Sequence, residues 1–161
     1  MIERGPEKTA IRLDVNGQSQ MVEVEPRRTL LDALRVDLGL TGAKQVCNMG
    51  NCGACTVLLD GAAVYSCLTL AVECENKQIT TIEGLSQGDS LHPLQQAFVQ
   101  HDALQCGFCT PGQVLAAHAL LQRNPNPSEA EVVEGMSGNL CRCGAYRGII
   151  DAVRSVARSQ E

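Results

Sequence analysis

A chain of 161 residues has room for one ordinary domain or two small ones, and a hydrophobic content of 44% is that of a globular protein. An aromatic content of 2%, with no Trp, leaves the core to aliphatic side chains or to something inorganic. The net charge of −5, without a run of like charges, excludes the basic patch of a nucleic-acid binder and the polybasic anchor of a membrane-surface protein.

Thr9–Val15 (TAIRLDV) and Gln20–Glu25 (QMVEVE) alternate apolar and polar residues around Asn16-Gly17, which predicts a β-hairpin ended by Pro26. Thr29–Leu38 follows with Leu30, Leu31, Leu34 and Leu38 at helical spacing. Thr29 and Asp32 have the form of a capping box, and Gly39 sits where a C-terminal cap belongs. A helix laid on a hairpin is the start of a β-grasp. Cys55–Leu59 and Ala62–Tyr65 predict a second hairpin across Asp60-Gly61, and Gln78–Ile82 a last strand.

The composition then changes. Glu83–Leu91 is polar and glycine-containing, as a linker would be. Beyond it the pattern is helical: Leu91–Gln100, a helix from Thr110 to about Arg123, one opened by the Ser128/Glu131 capping box and running to about Met136, and one over Ala145–Arg158. Thr110-Pro111-Gly112-Gln113 predicts Thr at the N-cap, Pro at N1 and Gln at N3. The fold class expected is α+β, with a β-grasp domain over 9–85 and a four-helix bundle over 86–161.

Nine cysteines are many for this length. Met1–Lys8 has neither an apolar h-region nor a twin arginine, and no later stretch approaches about 18 apolar residues. The expectation is therefore a cytoplasmic chain without a membrane span, in which disulfides are disfavoured. Cys47, Cys52 and Cys55 have the spacing C-x4-C-x2-C, with Gly50 and Gly53 interleaved, and Cys67 follows after eleven intervening residues. That is the plant-type [2Fe–2S] spacing. A two-iron unit needs four thiolates, so one loop must curl back on itself while a separate segment closes the cage. Glycine permits the positive φ and the close backbone approach this requires.

Cys106-Gly-Phe-Cys109 and Cys141-Arg-Cys143 form a second set at two predicted helix starts, where unpaired N–H groups favour a negatively charged centre. Arg142, between two of these cysteines, would add to that field if it pointed inward. A C-x-C pair is unusual for structural zinc, although zinc remains a competitor for either set. A Rieske centre would need two His ligands, and His92, His101 and His118 lie near none of the first four cysteines. His118 shares a helical face with Val114 and Leu121, so a buried or subunit-facing role is expected. Cys74 is the odd cysteine and is expected to be a buried small residue.

Three segments, Cys47-x4-Cys52-Gly-Ala-Cys55-Thr-Val, Gln105-Cys-Gly-Phe-Cys-Thr-Pro-Gly112 and Gly138-Asn-Leu-Cys-Arg-Cys143, together resemble the iron–sulfur subunit of the xanthine oxidase family of molybdenum hydroxylases. The resemblance runs from about residue 9 to residue 158. It implies one [2Fe–2S] cluster on Cys47, Cys52, Cys55 and Cys67 in a plant-type ferredoxin-like domain. A second would sit on Cys106, Cys109, Cys141 and Cys143 in the helical domain.

The resemblance also implies an electron-transfer subunit of an oxidoreductase, itself non-catalytic. Gln105 and Cys143 would approach a molybdopterin held by a large partner subunit. Electrons would leave one at a time through both clusters toward an FAD subunit of medium size, in a heterotrimer or a dimer of heterotrimers. The oxidised substrate would be an aldehyde, a purine or an N-heteroaromatic. Cys143-Gly144-Ala145-Tyr146 departs from the frequent C-R-C-T-G-Y, and is more like aldehyde-oxidising members with a cytosine-dinucleotide pterin. The alternatives weighed are a stand-alone zinc module and a free ferredoxin.

Overall fold

The computed structural model describes residues 5–86, 88 and 90–158. Strands β1 (Thr9–Val15) and β2 (Gln18–Val24) pair antiparallel, Thr9 opposite Val24 and Val15 opposite Gln18. Asn16 and Gly17 both take positive φ, 52° and 76°, as a twist-matched two-residue turn demands. Strands β3 (Thr56–Leu59), β4 (Ala62–Tyr65) and β5 (Gln78–Thr80) complete a five-stranded sheet of order β2-β1-β5-β3-β4. Only β1 and β5 run parallel. Asn16 also fastens the end of β5: its side chain accepts from the Thr81 N–H and donates to the Thr81 hydroxyl, each at 2.9 Å.

Helix α1 begins at Leu30–Asp32 and widens into a π-helical turn over Ala33–Asp37. The sequence suggests a plain helix here. The wider turn, closed by Leu38 N–H to the Ala33 carbonyl, keeps Leu34 in the core while Gly39, at φ 71°, sends the chain toward the cysteine loop. The Thr29 side chain caps α1 from the Asp32 N–H, as anticipated. Ile11, Leu13, Val15, Val22 and Val24 of the sheet pack with Leu30, Leu31 and Leu34 of the helix. Each such side chain is worth about 1.5–3 kcal/mol on full burial, which is how a core without aromatics holds.

Four further helices follow: α2 (Pro93–Gln100), α3 (Thr110–Arg123), α4 (Glu129–Met136) and α5 (Tyr146–Arg158). They enclose a second core with Leu94, Phe98, Val114, Leu115, Val132 and Ile149 at its centre. Leu58 of β3 belongs to that core, so the sheet and the helices meet there, with α3 lying along β3 and β4. The architecture is thus mixed α and β, five strands and five helices among the described residues, and it fits a ferredoxin-like unit joined to a helical one.

Two helix starts differ from the sequence reading. Cys109, not Thr110, is the N-cap of α3, and Thr110 is already helical with its hydroxyl buried and unpaired. The chain arrives through the Cys106–Cys109 turn with Cys109 at φ −83° and ψ −12°, so Thr110 cannot take the extended shape of a capping residue. At α2 an unanticipated capping box appears. His92 Nδ1 accepts from the Leu94 N–H at 3.2 Å, and Gln95 Oε1 accepts from the His92 N–H at 2.8 Å. The Ser128/Glu131 box is present as expected.

The first part of the expected linker is packed. Ile82–Gly84 forms a 3-10 turn, Leu85 is buried, and the Glu83 carboxylate accepts from the Gly42 N–H and the Thr81 hydroxyl at 2.7 and 2.6 Å. Positions 87 and 89 of that segment lie outside the described residues.

Candidate metal centres

The Cys47–Cys55 loop curls as its glycines allow. Gly50 and Gly53 have φ of 74° and 70°, and Asn48 joins them at 54°. The Asn51 N–H points at the Cys47 sulfur at 3.3 Å. Cys67 sits in the 3-10 turn directly after β4, so the β3–β4 hairpin returns it to the loop. There the Ser66 hydroxyl donates to the Cys55 carbonyl at 2.7 Å. The thiols stand as neighbours, Cys47 with Cys52 and Cys55 with Cys67. The backbone N–H of Met49, then the Cys52 thiol, bring Cys47 down to about 6, while burial pushes Cys55 up to about 11.

The second set has the same form. The Cys106 and Cys143 sulfurs are 3.5 Å apart, and Cys109 neighbours Cys141. The Phe108 N–H, followed by the Cys143 thiol, lowers Cys106. Burial raises Cys141, but the Ala145 N–H, the Cys109 thiol and the Cys143 and Gly144 N–H groups outweigh it and the net direction is down. Burial drives Cys109 up to about 12. Helix α3 starts directly after Cys109 and α5 three residues after Cys143, so two helix N-termini face this set. Tyr146, whose hydroxyl accepts the Cys141 N–H at 2.9 Å, fixes the C-R-C turn.

Among the described residues no three His, Cys, Asp or Glu side chains are arranged as a single-ion site. The eight thiols stand instead as four pairs. Backbone N–H groups aimed at Cys47 and Cys141 are the donors that a thiolate-rich, negatively charged centre needs, and a bound cation would offset the desolvation of Cys55 and Cys109. The residues present therefore fit a pair of two-iron, thiolate-ligated groups.

A seam of buried and part-buried polar contacts joins the two sets. The Leu140 N–H donates to the Cys52 carbonyl at 2.9 Å. Asn139 Nδ2 reaches the Gly53 carbonyl at 2.9 Å and Thr56 Oγ1 at 3.1 Å. Gln113 Nε2 donates to the Asn139 carbonyl at 2.9 Å, and the Tyr65 hydroxyl to the Gly138 carbonyl at 2.6 Å.

The remaining predicted residues are placed as follows. Gln105 and Cys106 are exposed and Cys143 half-buried, so this edge of the second set opens to the surface. Arg142 is exposed. His118 is half-buried against His92, ring centroids 5.2 Å apart, and His101 is exposed. Cys74 is fully buried, its thiol donating to the Leu70 carbonyl at 3.4 Å, and burial raises it to about 11.

Comparison with known proteins gives a consistent result. Residues 13–84 match the 2Fe-2S iron-sulfur cluster binding domain family, and residues 81–154 the [2Fe-2S] binding domain family. The chain is 53% identical to the nicotine 6-hydroxylase small subunit of Paenarthrobacter nicotinovorans, over 91% of this chain and 88% of that one. It is 46% identical to the aldehyde oxidoreductase iron-sulfur-binding subunit of Escherichia coli, over 94% and 73%. The crystal structure of quinoline 2-oxidoreductase from Pseudomonas putida 86 superposes with a TM-score of 0.92 at 52% identity, covering 96% of this chain and 95% of the matched chain. No helix among the described residues is long and apolar enough to cross a membrane.

Proposed function

We propose, for a chain that belongs to the small iron–sulfur subunits of the xanthine oxidase family of molybdenum hydroxylases, that it is the electron wire of an oxidoreductase complex and not its oxidant. The observation that carries this reading is the arrangement of eight thiols as two sets of two pairs. Two irons bridged by sulfide take two thiolates each, whereas a tetrahedral zinc would draw four to one point.

Cys47, Cys52, Cys55 and Cys67 would hold one [2Fe–2S] group within a ferredoxin-like domain over 9–85. Cys106, Cys109, Cys141 and Cys143 would hold the other within a four-helix bundle over 86–161. Each group supplies storage of a single electron. The protein supplies thiolates, N–H donors and exclusion of water at Cys55 and Cys67, which are 3% and 5% exposed.

The open edge at Gln105 and Cys143 suits a docking face for a large subunit with a molybdopterin, the cytosine-dinucleotide form in this reading. The first set would then hand electrons to a medium FAD subunit, in a heterotrimer or a pair of them. Nine cysteines free of disulfides suit the reducing cytoplasm. Relatives named for nicotine and quinoline favour an N-heteroaromatic substrate over an aldehyde or a purine.

Purification from native cells tests this reading. The expected product is a coloured chain with iron and acid-labile sulfide in equal amounts, recovered with a larger molybdenum-containing chain. A colourless, zinc-containing chain, or recovery of a coloured chain alone, would contradict it.

A further inference from the structure

The two cysteine sets are separate in sequence, yet one hydrogen bond joins their ligand segments. Cys52 belongs to the first set, and its carbonyl accepts the N–H of Leu140, the residue that precedes Cys141 of the second. The connection runs from the Cys52 sulfur through its Cβ, Cα and carbonyl, across the hydrogen bond, and along Leu140 to the Cys141 sulfur. Leu140 is exposed and Cys52 half-exposed, so burial of these two side chains does not account for the contact.

We infer that Asn139 is the positioning residue that sets this inter-centre contact, and so the rate at which an electron crosses between the sets. Asn139 is 5% exposed, and its side chain spans the seam, donating both to the Gly53 carbonyl, next to Cys52, and to Thr56 Oγ1, next to Cys55. Its own carbonyl is held by Gln113, which is 1% exposed on α3. The approach is also enforced sterically, for a Cβ on Gly53 would stand 2.5 Å from the Gly138 carbonyl and 2.7 Å from Asn139 Nδ2. Tyr65 adds a second tie on the other side, through its hydroxyl to the Gly138 carbonyl. A buried amide that bonds one acceptor on the cysteine loop and one at the start of β3 fixes position more tightly than apolar contact, because sliding would leave those groups unpaired.

With a two-iron group on each set, the group held by Cys141 would be oxidised by one electron and the group held by Cys52 reduced by one, with no bond or proton moved. The inference rests on the two-centre reading above.

The test uses the purified complex with Asn139→Ala, Asn139→Asp and Tyr65→Phe. After flash photoreduction, electron equilibration between the two centres is followed by freeze-quench electron paramagnetic resonance, alongside iron content and the spin–spin splitting of the fully reduced sample. The expected result is both signals with unchanged g-values, equilibration several-fold slower in the Asn139 variants and less so in Tyr65→Phe, and an altered splitting. If Asn139→Ala loses a centre, Asn139→Asp and Tyr65→Phe decide. Unchanged equilibration and splitting in loaded variants would overturn the role of Asn139. A wild-type complex without two signals would instead overturn the two-centre reading.

Discussion

A Cβ placed on Gly112 would stand 2.5 Å from the carbonyl oxygen of Gly53, so helix α3 touches the first cysteine loop backbone to backbone. Gly112 lies in the first turn of α3, where Ala would ordinarily gain up to about 1 kcal/mol over Gly. Here the obstacle is a carbonyl and cannot rotate away. Overpacking of this kind costs about 1–3 kcal/mol, so the sign reverses. Gly112→Ala should lower the thermal midpoint of the purified protein by several degrees. An unchanged or higher midpoint would show that the helix and loop separate freely.

Ser128 caps α4 in a reciprocal box with Glu131, which also draws on the Asn124 side chain. Bonding from Ser128 holds the Glu131 carboxyl below its ordinary value. Ser128→Ala should cost about 1 kcal/mol, within the usual 0.5–2 for a lost cap, and shift the denaturant midpoint accordingly. Glu131→Gln, which keeps an acceptor, should cost less; the reverse order would contradict the box.

His92 and His118 meet edge to face in the helical half. Burial, then the charge of His118, lowers His92 below 6.5, and burial lowers His118. Both are therefore neutral in the fold at pH 7, and the unfolded chain binds their protons more readily. Their contribution is present above about 6.5 and is lost as pH falls through the folded values. Protonation also removes the Nδ1 lone pair that caps α2. Stability should decline below about pH 6.5, and the decline should be shallower in His118→Gln. An identical slope in that variant would exclude the pair as its source.

Removal of iron should unfold more than the cysteine loops. Phe98 is the one aromatic side chain buried in either core among the described residues, and Cys55, Cys67 and Cys141 lie inside them. Chelation under reducing conditions should yield a chain that digests readily with protease and lacks a cooperative thermal transition, as expected where metal binding and folding are coupled. A chelated chain with an unchanged transition would contradict this.

The sequence was most legible where one physical signal dominated. Period-two alternation located β1 to the residue, the helical pattern from Thr110 to about Arg123 matched the span of α3, and the spacing of Cys47, Cys52 and Cys55 marked the first loop. Boundaries slipped where tertiary contact decided. β5 ends at Thr80 because Thr81 is claimed by Asn16, and α1 widens to serve both core and loop. The Thr110 cap failed because the Cys109 turn had already set helical geometry. The seam was invisible for a different reason: Asn139, Gln113 and Tyr65 are far apart in sequence, and a polar residue carries no periodic mark of the partner it will find.

Electron paramagnetic resonance of the reduced complex in wild type, Cys55→Ser and Cys109→Ser distinguishes two [2Fe–2S] centres on one chain from one. Two signals are expected in the wild type, with loss or displacement of one in Cys55→Ser and of the other in Cys109→Ser. A single signal in the wild type, or loss of both from either variant while its fold is retained, would contradict the two-centre reading.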